Sequence, residues 1–462
     1  MLIEDLKNIV GAKGWSLDEE VLEPHLNEWR GDLRGDALIM VSPATTAEVA
    51  AVVKACAAAD VAVVPQGGNT SLCGGSIPDN SGEQVLLSLS RLNTIRDVDA
   101  DNFSIVVEAG CILADVQNAA QEVDRFYPLS LGAEGSCQIG GNLSTNAGGI
   151  NVIRYGTARQ QVLGLEVVLA DGTIWEGLRS LRKDTAGYDM KQLFIGSEGT
   201  LGIITAATLK LYPQPGETTT VFAALHNATQ AVALLGLLRK RLADGIQAFE
   251  LISDRCLRLV ARHVPNSRMP FDGDYPWFVL CEVIGVGQES IVEEAFAAAI
   301  EDGMLCDAII AKSTAEAEEF WRLRHSIAES EKKEGAHLHH DVSVPIARMD
   351  EFLTRGEQLI SSIYPTARLV TFGHVGDGNL HYNVAQPAGE DGEEFLARSA
   401  PITEAIYDLV AEMDGSFSAE HGVGIVKKPH LNRYRSAAEL DLMRAMKTAL
   451  DPNSILNPGK VI

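Results

Sequence analysis

The spacing of apolar and polar residues predicts a mixed helix and strand protein. Residues 1–35 place their hydrophobic side chains at helical intervals and read as an amphipathic lead-in. Short aliphatic and β-branched runs then predict strands at 37–41, 61–64, 85–89 and 104–108. Between the first two, Thr45 and Glu48 form a Thr-x-x-Glu start signal for a helix running to about residue 59. Residues 112–122 have a helical pattern. A strand over 162–169, the Asp171-Gly172 pair and a continuation through Trp175 predict a hairpin. Residues 196–211 join a glycine cluster to a strand. After Tyr212-Pro213-Gln214-Pro215-Gly216 the glycine clusters stop. Helices such as 231–243 then alternate with strands such as 277–283, which places a domain boundary near 216. A last amphipathic helix over 440–450 leads into a turn-rich tail.

Charge narrows the possible partners. The chain has 462 residues, with 38 Lys and Arg against 63 Asp and Glu, a net charge of -25. Such a surface repels a phosphate backbone and an anionic bilayer, so nucleic acid and membrane are disfavoured. An anionic ligand must then be held by local devices such as backbone N–H nests, single arginines or a bound cation. The cysteine count of seven is odd and contains no CxxC pair, which points to a reducing, cytoplasmic setting. The N-terminal MLIEDLKNIVGAKGW does not read as a signal peptide. The long apolar stretch 47–64 carries Glu48, Lys54 and Asp60, and reads as a buried helix and strand rather than a membrane span.

Two features carry candidate chemistry. The first is the set of glycine-rich segments: PQGGNTSLCGG (65–75) directly after a strand, LGAEGSCQIGGNLSTNAGG (131–149) and GSEGTLG (196–202). Glycine lets backbone approach a ligand closely, and successive N–H groups can hold a pyrophosphate without lysine. Neither a Walker A loop nor a G-x-G-x-x-G fingerprint is present, so a nicotinamide cofactor has no support. Tight turns alone would also produce one such cluster, but three favour an extended cofactor.

The second is RLVTFGHVGDGNLHYNV (368–384). If Asp377-Gly378 forms a two-residue turn, His374 faces His381, and Phe372 and Asn383 share their face. Imidazoles paired in this way can share a metal ion, and Glu420-His421 in SAEHGVG offers further ligands. An inert, hydrogen-bonded histidine pair stays open as the alternative. A rival cluster, His337, His339 and His340 before Asp341, lies on one strand. Residues 337 and 341 would be ~13 Å apart along it, so this cluster reads as a pocket wall or polar core. Asp184 and Tyr188 in RKDTAGYDM read as a helix-capping and packing element, and Cys73 as a small packing residue.

In this order these motifs, with LDPNSILNPGK at the tail, resemble the D-2-hydroxyglutarate and D-lactate dehydrogenase group of FAD-linked oxidoreductases, within the vanillyl-alcohol-oxidase-like superfamily. PLSLGAEGSCQIGGN and AFELIS look closest to the hydroxyglutarate branch. The resemblance covers residues 38–462. It implies an α+β fold with a two-subdomain FAD-binding domain over 1–216. A cap (substrate) domain with an antiparallel sheet follows over 217–415, and a C-terminal segment, 416–462, returns to the FAD domain.

It further implies that Pro65, Gly67, Gly68, Asn69 and Thr70 hold the FAD pyrophosphate. Gly132, Ala133, Gly135, Ser136, Gly140, Asn142, Gly148 and Gly149 would line the flavin, with Gly202, Ile203 and Asn457 as further contacts. Asn69 stands where covalent flavoproteins of the group carry histidine, which implies noncovalent FAD. His374, His381 and Glu420 match ligands of a divalent metal, zinc being the expected ion. His421 matches the catalytic base, and Arg324, Asn383 and His339 match substrate-binding positions. Hydroxyglutarate-type relatives carry threonine at Ala328 and lysine at His339, so a smaller D-2-hydroxy acid such as D-lactate or glycolate is the alternative substrate. The implied electron acceptor is an electron-transfer flavoprotein or a quinone, and a homodimer is a compatible assembly. From other classes, a metal hydrolase would be colourless, and a noncatalytic flavin electron carrier would keep its colour when offered substrate.

Overall fold

The computed structural model describes every residue but 286, and the chain separates into two compact units. The first comprises Met1–Gly148, Tyr155–Gln214 and Glu420–Ile462; the second comprises Gly149–Arg154 and Pro215–Ala419.

The first unit contains two main sheets. In one, the strands run in the order Trp15–Ser16, Ile39–Val41, Val85–Ser88, Val63–Gln66, the last three mutually parallel. The helix Thr46–Ala58 makes the crossover, and its Thr45 hydroxyl accepts the Glu48 N–H at 3.1 Å. The Glu48 carboxylate in turn accepts the Ala44 N–H, one residue short of a reciprocal capping box. Val49, Val52, Val53 and Cys56 make a fully buried stripe facing the sheet, each valine contributing about 1.5–3 kcal/mol. The amphipathic lead-in is not one helix. Gly11 turns into the left-handed region at φ 69° and closes the helix Leu2–Val10, and the strand Trp15–Ser16 precedes the helix Glu19–Leu26.

The second sheet is antiparallel, in the order Ile95–Asp99, Ser104–Glu108, Ile203–Lys210, Val162–Val168, Ile174–Gly177. Its core takes Leu113, Val116 and Ala120 from the helix Leu113–Glu122 and Leu143 from the helix Ile139–Ser144. The chain end returns to the first sheet. The Val63 N–H donates to the Ile455 carbonyl, and the Asn457 N–H donates to the Val63 carbonyl, both at 2.8 Å.

The second unit is built on an eight-stranded antiparallel sheet. The order is Asp307–Ile310, Thr218–Leu225, Trp277–Ile284, Ile246–Ser253, Arg368–Gly373, Asn379–Ala385, then His337–Leu338, with Asp341–Ser343 also on the last long strand. The helices Asp254–His263 and Thr314–His325 cover one face through Leu257, Val260, Phe320 and Leu323 against Phe222, Phe278 and Phe372. Among the described residues, no helix is long and apolar enough to cross a membrane.

Candidate cofactor cradle and acid–imidazole site

The strand Val63–Gln66 delivers the chain into the loop Gly67–Thr70, whose backbone N–H groups find no acceptor among the described residues. Asn69 is left-handed at φ 53°, a conformation asparagine tolerates better than most residues. Its side-chain amide donates to the carbonyls of Pro24 and Asn27 at 3.0 and 2.9 Å, and its oxygen accepts the Ser76 hydroxyl. Four N–H groups on a loop pinned in this way form an anion nest.

The second glycine segment lies against this loop. A side chain at Gly68 would stand 2.2 Å from the Ser136 carbonyl oxygen, and one at Gly67 would meet the Gly141 nitrogen at 3.4 Å. Ala133 turns the segment by accepting the Ser136 and Cys137 N–H groups. At Gly132, Gly135 and Gly141 the space beyond the backbone is open, as a cofactor-lining wall requires. Other glycines and neighbours here are explained by packing. Gly140 abuts Ala109, Gly202 abuts Val167 and Phe194, the Ile203 side chain is in the core, and the buried Asn142 amide lies on Cys137. Gly148 ends one compact unit, and Gly149, at φ 99°, opens the segment belonging to the other. Pro65 contacts Gly199, and the Asn457 amide donates to the Gly75 and Glu198 carbonyls at 2.8 Å. The loop, the third glycine cluster and the tail thus meet, and the open, donor-rich cradle fits a dinucleotide.

Gly68→Ala tests the cradle. The added methyl must separate the 67–68 loop from residues 136–137, at a cost of about 1–3 kcal/mol. The expected result is a purified protein with a substoichiometric flavin content and an otherwise normal circular dichroism spectrum.

The hairpin differs from its expected register. Its strands are Arg368–Gly373 and Asn379–Ala385, and His381 faces Phe372, not His374. The connection is five residues long, 374–378, rather than the Asp377-Gly378 pair. The His374 carbonyl accepts both the Asp377 and Asn379 N–H groups, and Gly378 is left-handed at φ 90°. The slip is two residues, so by the period of two His381, Phe372 and Asn383 still share a face. The His374 ring comes within 5.6 Å of the His381 ring, centroid to centroid.

His374 is held by a residue the sequence reading overlooked. Its Nδ1 lies 2.7 Å from Oε1 of Glu250, a fully buried carboxylate on the strand Ile246–Ser253. The other carboxylate oxygen takes Nε and Nη2 of Arg324 at 2.8 and 2.7 Å. Burial pushes the Glu250 carboxyl up, but His374 and Arg324 outweigh it and hold the pKa at about 2. With Nδ1 on Glu250, the His374 nitrogen presented for ligation is Nε2. The Arg324 guanidinium, buried and stacked 4.8 Å over Phe372, is already engaged by this carboxylate.

Asp341, set aside in the sequence with the rival cluster, is brought to His381 by the fold. It pairs across the strands with His381 and is buried, its carboxylate oxygens accepting the Asn379 amide at 3.0 Å and the Ala419 N–H at 3.1 Å. Glu420 and His421 follow Ala419 directly in the chain. In the second unit Asp341 and His381 face each other across paired strands, and in the first Glu420 and His421 are adjacent, His421 Nε2 lying 3.9 Å from Glu420 Oε1. Two carboxylates and two imidazoles are a donor set that suits a divalent ion.

Asn383 donates to both oxygens of the buried Glu331 at 3.0 and 3.1 Å and accepts the His340 N–H, so its amide is engaged within the fold. His339 is half-buried and stacks on His337 at 5.9 Å. Ala328 lies on an exposed face of its helix. His340 is buried between the Tyr382 carbonyl and the Thr403 hydroxyl, a polar core residue. The capping and packing expected of Asp184 and Tyr188 is absent. Asp184 pairs with Arg179 and accepts the Ala186 N–H, and Tyr188 is 94% exposed because residues 181–190 form an exposed loop. Cys73 is buried, its thiol donating to the Gly422 carbonyl at 3.4 Å.

The model of an FAD binding domain matches residues 37–177, and that of the C-terminal domain of FAD linked oxidases matches 214–461. The architecture resembles p-cresol methylhydroxylase (TM-score 0.76, 15% identity, covering 100% of this chain and 96% of that one). It also resembles alkyldihydroxyacetonephosphate synthase (TM-score 0.74, 17% identity, 99% and 84%). The two family models therefore define the chain as an FAD-linked oxidase, and the solved structures share its fold. Among curated relatives, D-2-hydroxyglutarate dehydrogenase of Xanthomonas citri pv. viticola is 40% identical over 99% of this chain and 96% of its own. The mitochondrial enzyme of Bos taurus is 38% identical over 96% of this chain and 80% of its own. The probable rice enzyme (Oryza sativa subsp. indica) is 37% identical over 99% and 80%. The chain belongs to the FAD-linked oxidases, in the D-2-hydroxyacid dehydrogenase family.

Proposed function

We propose that this dehydrogenase oxidises a D-2-hydroxy acid of the hydroxyglutarate class to the 2-oxo acid with the help of a divalent cation, zinc being the expected ion. The observation that carries the cation is the Asp341–His381 pair, with the His374 ring beside His381 and oriented by Glu250. His374, His381 and Glu420 would hold the ion, with Asp341 as a further carboxylate. A cation there supplies Lewis acidity toward the substrate's oxygens. FAD, when bound, supplies the two-electron acceptor for the hydride leaving C2. His421 takes the hydroxyl proton, because a neutral imidazole suits a general base near pH 7. Arg324, although paired with Glu250, keeps Nη1 for an anionic substrate, and Asn383 and His339 would flank the same ligand.

A smaller D-2-hydroxy acid is favoured by a specific observation. The resemblance implies a hydroxyl and a permanent cation at positions 328 and 339, where Ala328 and His339 supply neither, and Glu250 already offsets the Arg324 charge. Electrons leave to a non-nicotinamide acceptor such as an electron-transfer flavoprotein or a quinone. Elemental analysis tests the cation. The purified protein should carry about one divalent ion per chain, and His381→Ala should lose it while keeping FAD; a metal-free protein with full turnover sinks the proposal.

A further inference from the structure

The residues that follow His421 are wrapped around a carboxylate outside the acid–imidazole group. Glu198, in the third glycine cluster, is 8% exposed. Its Oε1 accepts the Val423 N–H at 2.7 Å, and its Oε2 accepts the Gly424 N–H at 2.8 Å. Such bonds to a charged acceptor are roughly twice as strong as neutral ones. The turn is shaped to the carboxylate. Gly422 is left-handed at φ 80°, and a side chain there would stand 2.9 Å from Oε1. Gly75, at the end of the cradle loop, approaches Oε2 equally closely.

Glu198 is itself in an unfavourable conformation. Its φ of 52° is left-handed, although glutamate has no local hydrogen bond of the kind that eases asparagine into that region. It is kept there by its N–H on the Ser144 carbonyl at 2.8 Å and by the Asn457 amide on its own carbonyl. A strained, buried glutamate receiving two backbone donors is over-determined by its surroundings, as residues that hold functional geometry are. On the other side of the pair, the Ala419 N–H is tied to Asp341. The Glu420–His421 pair is therefore flanked in sequence by two carboxylate-anchored stretches of backbone.

We propose that Glu198 is a positioning residue: it fixes the turn after His421, and through it the placement of Glu420 and His421 for metal binding and proton transfer. Both of its carboxylate oxygens are taken by backbone N–H groups. This rests on the proposed metal-assisted reading of the site. Glu198→Gln keeps the size but offers one acceptor oxygen, and turns an N–H donor toward the other backbone N–H. Gly422→Ala keeps the carboxylate and forces a methyl against it at a left-handed φ, so it reports on the same contact if Glu198→Gln fails to accumulate.

The test is zinc affinity of the FAD-loaded full chain, measured by competition with a chelator of known affinity, alongside flavin content, kcat and KM. Residues that orient metal ligands typically contribute 10- to 100-fold in affinity, so each variant should bind zinc about 10- to 100-fold more weakly with flavin stoichiometry retained. The loss should fall on kcat more than on KM. A lower melting temperature with wild-type zinc affinity and wild-type kcat in either folded variant would overturn the inference. Wild-type protein that binds no zinc and still turns over would instead overturn the metal-assisted reading itself, so the two failures are distinguishable.

Discussion

His421→Ala should lower kcat by about 10²–10⁴, the range that a positioned acid–base group contributes. FAD content should stay at wild-type levels, and zinc content with it, because the proposed ion ligands are His374, His381 and Glu420; a loss of zinc would make His421 a ligand rather than the base. The prediction follows from the proposed role of His421, whose Nε2 lies 3.9 Å from Glu420 Oε1. A base acting on the substrate hydroxyl affects the proton step and leaves binding largely intact, so KM should move much less than kcat. Stopped-flow reduction of the flavin isolates the chemical step from reoxidation. The slow phase should be the reductive one, and reoxidation should keep its wild-type rate. A variant whose reductive half-reaction runs at the wild-type rate would remove His421 from the chemistry.

The second large effect is structural. Glu250→Gln should destabilise the protein by about 3–5 kcal/mol, the usual cost of removing one partner of a buried ion pair. The amide fills the same space, so no cavity forms, but the buried Arg324 guanidinium loses its counter-charge and His374 loses its anionic partner. The pH dependence follows from the depressed carboxyl. Its ordinary value is 4.5 and its folded value is about 2, so the stability it contributes is fully present above about pH 4.5 and is lost as pH falls toward 2. Urea melts should show a wide gap between wild type and variant at pH 7, narrowing at pH 3. A gap independent of pH would mean that packing, not charge, is what Glu250 provides. Because Glu250 also orients His374, zinc affinity should fall together with stability.

Particular residues show how far the sequence reaches. The Asp171-Gly172 turn and the Thr45 cap are local signals, and both act where local chemistry places them. The His374–His381 hairpin is local too, yet its turn is misjudged. Asp-Gly favours a two-residue loop, but the His374 carbonyl captures two N–H groups and the strands end sooner. The error is even in number, so the face of His381 is still correct. Asp341 is invisible for a different reason. Read along one strand it is too distant from His337 to share an ion, and only the pairing of that strand with the hairpin sets it against His381. Glu250 could have been noticed as a lone carboxylate inside the apolar strand IQAFELIS. Glu198 stands in a glycine-rich segment that reads as cofactor loop, and nothing in the sequence links it to residues 423–424. Tyr188 looks like a packing residue because aromatic side chains usually are, but the fold leaves its loop on the surface.

The measurement that tests the central claim most directly is anaerobic bleaching of the flavin near ~450 nm by D- and L-2-hydroxy acids, with and without chelator. The account predicts a yellow protein bleached by D-acids only, with chelator abolishing the bleaching and zinc restoring it. The rank of D-2-hydroxyglutarate against D-lactate would then report what Ala328 and His339 do to the pocket. Bleaching that chelator leaves untouched would contradict the metal-assisted mechanism, and a flavin that no 2-hydroxy acid reduces would contradict the proposed reaction.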